Sequence, residues 1–97
     1  MPKGYWIAHV DVHNHESYAK YREANALAFD KFGARFIARG GEQIIKEGHS
    51  KPRTVVIEFD DFKTAKECYE SEEYQKAKKI RDAVSTGDMV IVEGYDG

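Results

Sequence analysis

Between Tyr5 and Val12 the side chains alternate in character. Trp6, Ala8, Val10 and Val12 are apolar, whereas Tyr5, Ile7, His9 and Asp11 mix apolar with polar groups. A period of two marks a strand whose successive side chains point to opposite sides of a sheet. The first set predicts a face packed on a core. The second predicts a face that is neither dry nor fully solvated, so a chain that opens this way has two sheet faces to cover.

The following segments supply the cover for one of them. Asn14 is placed to cap a helix, and Glu16 in the first turn complements the helix dipole. Tyr18, Tyr21, Ala24, Leu27, Ala28 and Phe32 recur at helical spacing and predict a helix over 16–32, with Gly33 as its stop. Arg35 to Arg39 reads as the second strand. Beyond Gly40-Gly41, Glu42 to Lys46 reads as strand again, so a kink or bulge at the glycines within one long strand is expected, ahead of a loop over 47–52. A two-residue hairpin at the same glycines is the alternative. Arg53 to Phe59, rich in β-branched residues, is the third strand.

Asp60 or Asp61 can cap a second helical region containing Phe62, Ala65, Cys68 and Tyr69. Ser71, with Glu72 and Glu73 behind it, has the pattern of a fresh cap, so the helix is expected to break or bend there. Tyr74, Ala77, Ile80 and Val84 continue the apolar stripe. Thr86-Gly87-Asp88 reads as a turn, and Met89 to Glu93 as the last strand.

The order β, α, β, β, α, β over 97 residues predicts one domain, 1–97, of the α+β class. Right-handed crossovers place it in the ferredoxin-like arrangement: a four-stranded antiparallel sheet with two helices on one face. The other face stays half-apolar, and leaving it in water is unfavourable by about 25 cal/mol per Å² of apolar surface. A second copy of the chain, packed sheet to sheet as a homodimer, is the expected cover. Fifteen basic against seventeen acidic residues give a net charge of −2, which removes the electrostatic basis for general nucleic-acid binding. No apolar run approaches the ~18 residues of a membrane span. A strand pattern from the start leaves no room for a signal peptide, so a cytoplasmic location is expected. Cys68 is the sole cysteine; it reads as a small apolar filler in mid-helix, the alternative being a nucleophile.

No motif specifies a chemistry. His9 and His13 share a strand face but lie ~13 Å apart at ~3.3 Å per residue, and no third ligand stands at a recognisable spacing, so no metal is expected. Gly40-Gly41 lacks the third glycine and the following helix of a dinucleotide fingerprint, and reads as a bend needing unusual torsions. The informative cluster is on the two-natured sheet face. With Trp6, Ala8 and Val10 toward the helices, that face is expected to carry Tyr5, Ile7, His9 and Asp11 from the first strand and Arg35, Ile37 and Arg39 from the second. Thr54, Val56 and Glu58 from the third and Met89, Ile91 and Glu93 from the fourth complete it. His9 and Glu58 are the candidate acid and base, Arg39 the candidate clamp on a carboxylate, and Tyr5 and Glu93 further binding residues. The competing reading, which carries more weight, makes Arg39 and Glu58 a structural ion pair at the dimer interface. Tyr18, Tyr21, Tyr69 and Tyr74 read as core edges with satisfied hydroxyls.

Taken together, Lys3 to Val12 (KGYWIAHVDV), the Tyr18/Tyr21 pair, Arg35 to Glu42 (RFIARGGE) and Arg53 to Phe59 (RTVVIEF) resemble the domain of unknown function 1330 family. So do Glu47-Gly48, Ala65, Tyr69 to Gln75 (YESEEYQ) running on to Arg81, and the closing Val92 to Gly94 (VEG). Asp60-Asp61, Cys68 and Asn14-His15 depart from the usual family pattern. The resemblance implies a dimeric α/β barrel. The wider superfamily of that architecture holds cofactor-free monooxygenases, haem-degrading enzymes, muconolactone isomerase-like proteins and catalytically silent dimers. The expectation is a homodimeric small-molecule binding protein or cofactor-independent enzyme acting on a small anionic or carbonyl metabolite, its site between sheet and helices. The alternative is a non-catalytic dimeric module.

Overall fold

The computed structural model describes residues 2–96. β1 (Gly4–Val12) lies inside the sheet, antiparallel to β3 (Arg53–Phe59) on one side and to β4 (Ser85–Glu93) on the other; β2 (Arg35–Arg39) completes the order β2-β3-β1-β4. Three helices pack on one face: α1 (His15–Phe32), α2 (Phe62–Glu70) and α3 (Glu72–Val84). This is the ferredoxin-like order, with the second helical region divided.

The caps explain the boundaries. Asn14 Oδ1 accepts from the Ser17 amide at 3.1 Å, and Asp61 Oδ1 from the Thr64 amide at 2.7 Å. Gly33 ends α1 in the left-handed region at φ 68°. Ser71 serves two helices at once. Its hydroxyl donates to the Cys68 carbonyl at 2.6 Å and accepts from the Tyr74 amide at 3.1 Å, so α2 stops and α3 starts at one residue.

Trp6, Val10, Val55, Ile57 and Phe59 turn toward the helices, as the alternation predicts, and meet Tyr18, Tyr21, Ala28, Phe29 and Tyr74. Trp6 organises this core. Its ring lies 4.7 Å from Tyr74, 5.4 Å from Phe29 and 5.8 Å from Tyr69, all edge to face, and its indole N–H donates to the Ala65 carbonyl at 2.8 Å. Each such ring pair contributes about 0.5–1.5 kcal/mol beyond the area it buries. Cys68 is fully buried against α1, and burial pushes its thiol up to about 12, the property of a filler and not of a nucleophile.

Five expectations are corrected. Leu27 is 66% exposed; at 3.6 residues per turn it falls opposite the buried stripe of Tyr18, Tyr21, Asn25, Ala28 and Phe29. Residues 42–46 are not strand, because β2 ends at Arg39 and Gly40, at φ 71°, turns the chain away. Residues 86–88 are not a turn. β4 starts at Ser85, directly after α3, and Thr86, Gly87 and Asp88 pair with Asp11, Val10 and His9. That register sets Met89 opposite Ala8 and Ile91 opposite Trp6, on the helix side, and leaves Val90 and Val92 on the open face. The bulge foreseen at the glycines lies earlier, at Ile37, with consequences for Arg39.

Candidate functional site: an arginine-rimmed cavity

Along β2, Phe36 pairs with Ile57 and Ala38 with Val56, so Ile37 is an extra residue without a partner. The extra residue reverses the alternation. Arg39 then pairs with Val55, whose side chain is in the core, and Arg39 comes to the helix side and not the open face as expected. It lies over the Phe36 ring, with the guanidinium carbon 3.8 Å from the centroid.

There it lines a cavity between sheet and helices. The floor is Trp6, Val10, Val55, Ile57 and Met89; the wall is Tyr18, Tyr21, Asn25 and Phe29 of α1 with Tyr74 of α3. Arg22, Arg39, Arg53 and Arg81 complete the lining, and no acidic residue does. The free space of the cavity is about 30 Å³, room for about two waters, so a larger ligand enters only as the long arginine side chains at its rim move outward. Arg53 reaches it because it shares a strand face with Val55 and Ile57, and its guanidinium carbon is 5.6 Å from the Tyr18 ring centroid. Gly40 makes the space: a Cβ there would fall 2.7 Å from the Arg53 guanidinium carbon.

The charge of this cavity is not neutralised. Arg81 donates to Asp82 at 3.4 Å and to the Tyr74 hydroxyl at 2.8 Å. Arg22, Arg39 and Arg53 make no ion pair among the described residues, and the Arg53 Nε is buried without an acceptor. Burial, then repulsion by Arg22 and Arg53, lowers the pKa of Arg39. Burial and the neighbouring Tyr21 raise that of Tyr18, against the pull of Arg53. Asn25 is 3% exposed and lines the cavity, so cavity water or a ligand is within reach of its amide.

Tyr5, Glu58 and His9 lie on the open face. Tyr5 and Glu58 are brought together, the phenol donating to Oε2 at 3.0 Å, while Arg35, and not Arg39, donates to Oε1 at 3.0 Å and reaches Asp60 at 3.1 Å. The Arg35 guanidinium, then the Tyr5 hydroxyl, holds the Glu58 carboxyl below its usual range. His9 is further along β1, opposite Thr54; its Nδ1 is 3.1 Å from the Thr54 hydroxyl and 3.3 Å from that of Ser50. Glu93, exposed and opposite Gly4, is in phase with Met89 and Ile91 on the helix side of β4 and not on the open face as expected. Among the described residues no three His, Cys, Asp or Glu side chains are grouped to hold a metal.

Sequence reasoning passed over Arg22, Asn25, Arg53 and Arg81. Two carried a signal. Asn25 interrupts the apolar stripe at seven residues from Tyr18, and Arg53 is in phase with Val55, Ile57 and Phe59.

The fold is shared with crystal structures of low sequence identity. A protein of unknown function from Rhodopseudomonas palustris is 15% identical with a TM-score of 0.78, over 99% of this chain and 85% of its own. SnoaB, a cofactor-independent oxygenase from Streptomyces nogalater, is 12% identical with a TM-score of 0.68, over 100% of this chain and 97% of its own. A dimeric protein of unknown function and ferredoxin-like fold from Bacteroides fragilis is 14% identical with a TM-score of 0.56, over 94% of this chain and 95% of its own. No curated protein matches the chain. With residues 3–95 matching its pattern, the chain belongs to the family described as domain of unknown function DUF1330.

Proposed function

We propose that this protein binds a small organic anion in the cavity between sheet and helices, and that the open sheet face pairs with a second copy. The observation that carries the first half is the convergence of Arg22, Arg39 and Arg53 on one aromatic cavity with no carboxylate among its lining residues. A protein of net charge −2 has acidic groups to spare for these arginines. Leaving them mutually repelling in a half-dry site is unfavourable unless an anion arrives. Arg39 is the clamp, as the sequence suggests, now with Arg53 and Arg22 beside it instead of Glu58. The description of SnoaB as a cofactor-independent oxygenase supports cofactor-free chemistry as the reaction class to test on bound ligands.

Trp6, the sole tryptophan, lies in the cavity floor and reports occupancy by its fluorescence. Titration with benzoate, succinate and inorganic phosphate should give saturable quenching for at least one anion, and benzamide, the neutral counterpart of benzoate, should give none. The Arg53→Gln variant should weaken the response tenfold or more, the scale of a lost charge-assisted hydrogen bond. Equal quenching by benzoate and benzamide would refute an anion site.

The interface half rests on the Tyr5–Glu58–Arg35 network and on exposed Ile37, Val90 and Val92 on the sheet. The dimeric Bacteroides fragilis neighbour supports it. His9, bonded to Thr54, and Glu58, bonded to Tyr5 and Arg35, then serve assembly. Light scattering at micromolar concentration tests it, and a monomer contradicts it.

A further inference from the structure

The hydroxyls of Tyr21 and Tyr74 are 2.8 Å apart, and Arg81 Nη1 is 2.8 Å from the Tyr74 hydroxyl. A guanidinium only donates, so the Tyr74 oxygen accepts from Arg81 and has its own hydrogen to place. Tyr74 is completely buried, and among the described residues the Tyr21 oxygen is the acceptor it has. If Tyr21 donated instead, a buried hydroxyl hydrogen would be left unmet, the costlier arrangement. The chain therefore runs from Arg81 to Tyr74 to Tyr21, each link polarising the next. Tyr21 keeps a hydrogen to give, at the end of a chain that starts on a cation.

Asn25 stands one helical turn beyond Tyr21 on α1, so the two share a face, and both line the cavity. Asn25 is 3% exposed, and its amide brings two N–H donors without charge to the cavity lining. The charged and titratable groups around this pair are Arg22 and Tyr18 of α1, Arg39 of β2, Arg53 of β3 and Arg81 and Tyr74 of α3. None of these carries a carboxyl group. A carboxylate would be ionised near neutrality in any case; donors set in a cationic, half-dry site have their largest effect on an oxygen whose charge has to be created there.

We propose that Tyr21 and Asn25 form a two-donor pocket for an oxygen conjugated to a ring or a carbonyl, a phenolate or an enolate, and hold the ligand in its ionised form. Tyr74 and Arg81 are positioning residues that aim and polarise Tyr21. The inference rests on the anion-binding reading of the cavity and names the oxygen that the cavity recognises.

The test uses 4-nitrophenol, whose absorbance separates phenol from phenolate, bound to the intact protein and titrated with pH. The bound probe should ionise at least about one pH unit below the free probe, a tenfold preference for the phenolate. Tyr21→Phe should remove most of that shift and Asn25→Ala part of it. Tyr74→Phe should reduce the shift while the probe still binds, a readout that a purely structural role for Tyr74 would not move. Near-ultraviolet circular dichroism checks that each variant is folded; if Tyr74→Phe is not, the wild-type shift and Tyr21→Phe decide. A bound probe that ionises at or above its free value, a shift unchanged in Tyr21→Phe, or no binding of 4-nitrophenolate overturns the proposal. The anion titration distinguishes the two levels: if benzoate, succinate or phosphate binds and the phenolate preference is absent, only this inference fails, and if none of these anions binds the anion site fails with it.

Discussion

Arg35 Nε donates to Glu58 Oε1 at 3.0 Å across the β2–β3 pair, and the Tyr5 hydroxyl donates to the other carboxylate oxygen at the same distance. These bonds hold the Glu58 carboxyl below its ordinary 4.5. A carboxyl whose folded pKa is depressed adds stability that is fully present above its unfolded pKa and is lost as pH falls through the lower folded value. Thermal unfolding followed downward from pH 7 should therefore show wild type losing its advantage over Glu58→Gln below about pH 4.5, with the two converging in stronger acid. A constant difference at all pH values would place the effect of Glu58 in packing and not in its charge.

Arg39 differs in kind from Arg35. Its guanidinium lies on Phe36 and is pressed by Arg22 and Arg53, with no carboxylate in an ion pair with it. Arg39→Gln relieves repulsion, so at low ionic strength its Tm should equal or exceed that of wild type, and added salt should shrink the difference. Benzoate affinity, read from Trp6 fluorescence, should fall tenfold or more. Light scattering should show the oligomeric state unchanged. An interface role for Arg39 requires the opposite, a dissociated or destabilised protein with its ligand response intact.

Cys68 is buried at the α1–α2 contact, its sulfur 4.0 Å from the Ala28 carbonyl, and burial pushes the thiol up to about 12. Thiolate is the reactive form. At pH 8 a disulfide reagent such as dithionitrobenzoate should modify the native protein orders of magnitude more slowly than the urea-unfolded chain. The native rate should track global opening as urea is added. Rapid native labelling would show that α2 detaches locally and would reopen the question of a reactive cysteine.

The fold was legible because its signals are local and repeated. The phase of β1, the caps at Asn14, Asp61 and Ser71, and the glycine at 33 each act within a few residues of chain, and all are where the sequence places them. The site was harder to read, since it depends on phase carried across irregularities. RFIAR alternates on paper, and the bulge at Ile37 that sends Arg39 to the helix side arises only from pairing with β3. In β4 both phases are apolar: Met89 and Ile91 against Val90 and Val92. Hydrophobicity therefore could not choose between them, and the start at Ser85 did. The pairing of an arginine with Glu58 was anticipated with the wrong arginine for the same reason. Arg81 comes from an exposed-looking basic helix, and only the fold turns it toward Tyr74.

Gly40 and Gly33 offer a matched pair that separates backbone strain from site geometry. Both adopt left-handed torsions, at φ 71° and 68°. An L side chain is strained there by about 1–2 kcal/mol, so Gly33→Ala and Gly40→Ala should lose similar stability in urea. Their surroundings differ. A Cβ at Gly33 meets nothing within 4 Å, whereas one at Gly40 would overlap the Arg53 guanidinium. Gly40→Ala should therefore also displace Arg53 and weaken benzoate binding several-fold, while Gly33→Ala binds as wild type does. Equal affinity in the two variants would show that Arg53 has other room to occupy and that Gly40 serves the turn alone. Loss of binding in Gly33→Ala would trace the effect to general loosening of the fold, and the assignment of Arg53 to the rim would then have to rest on the Arg53→Gln titration.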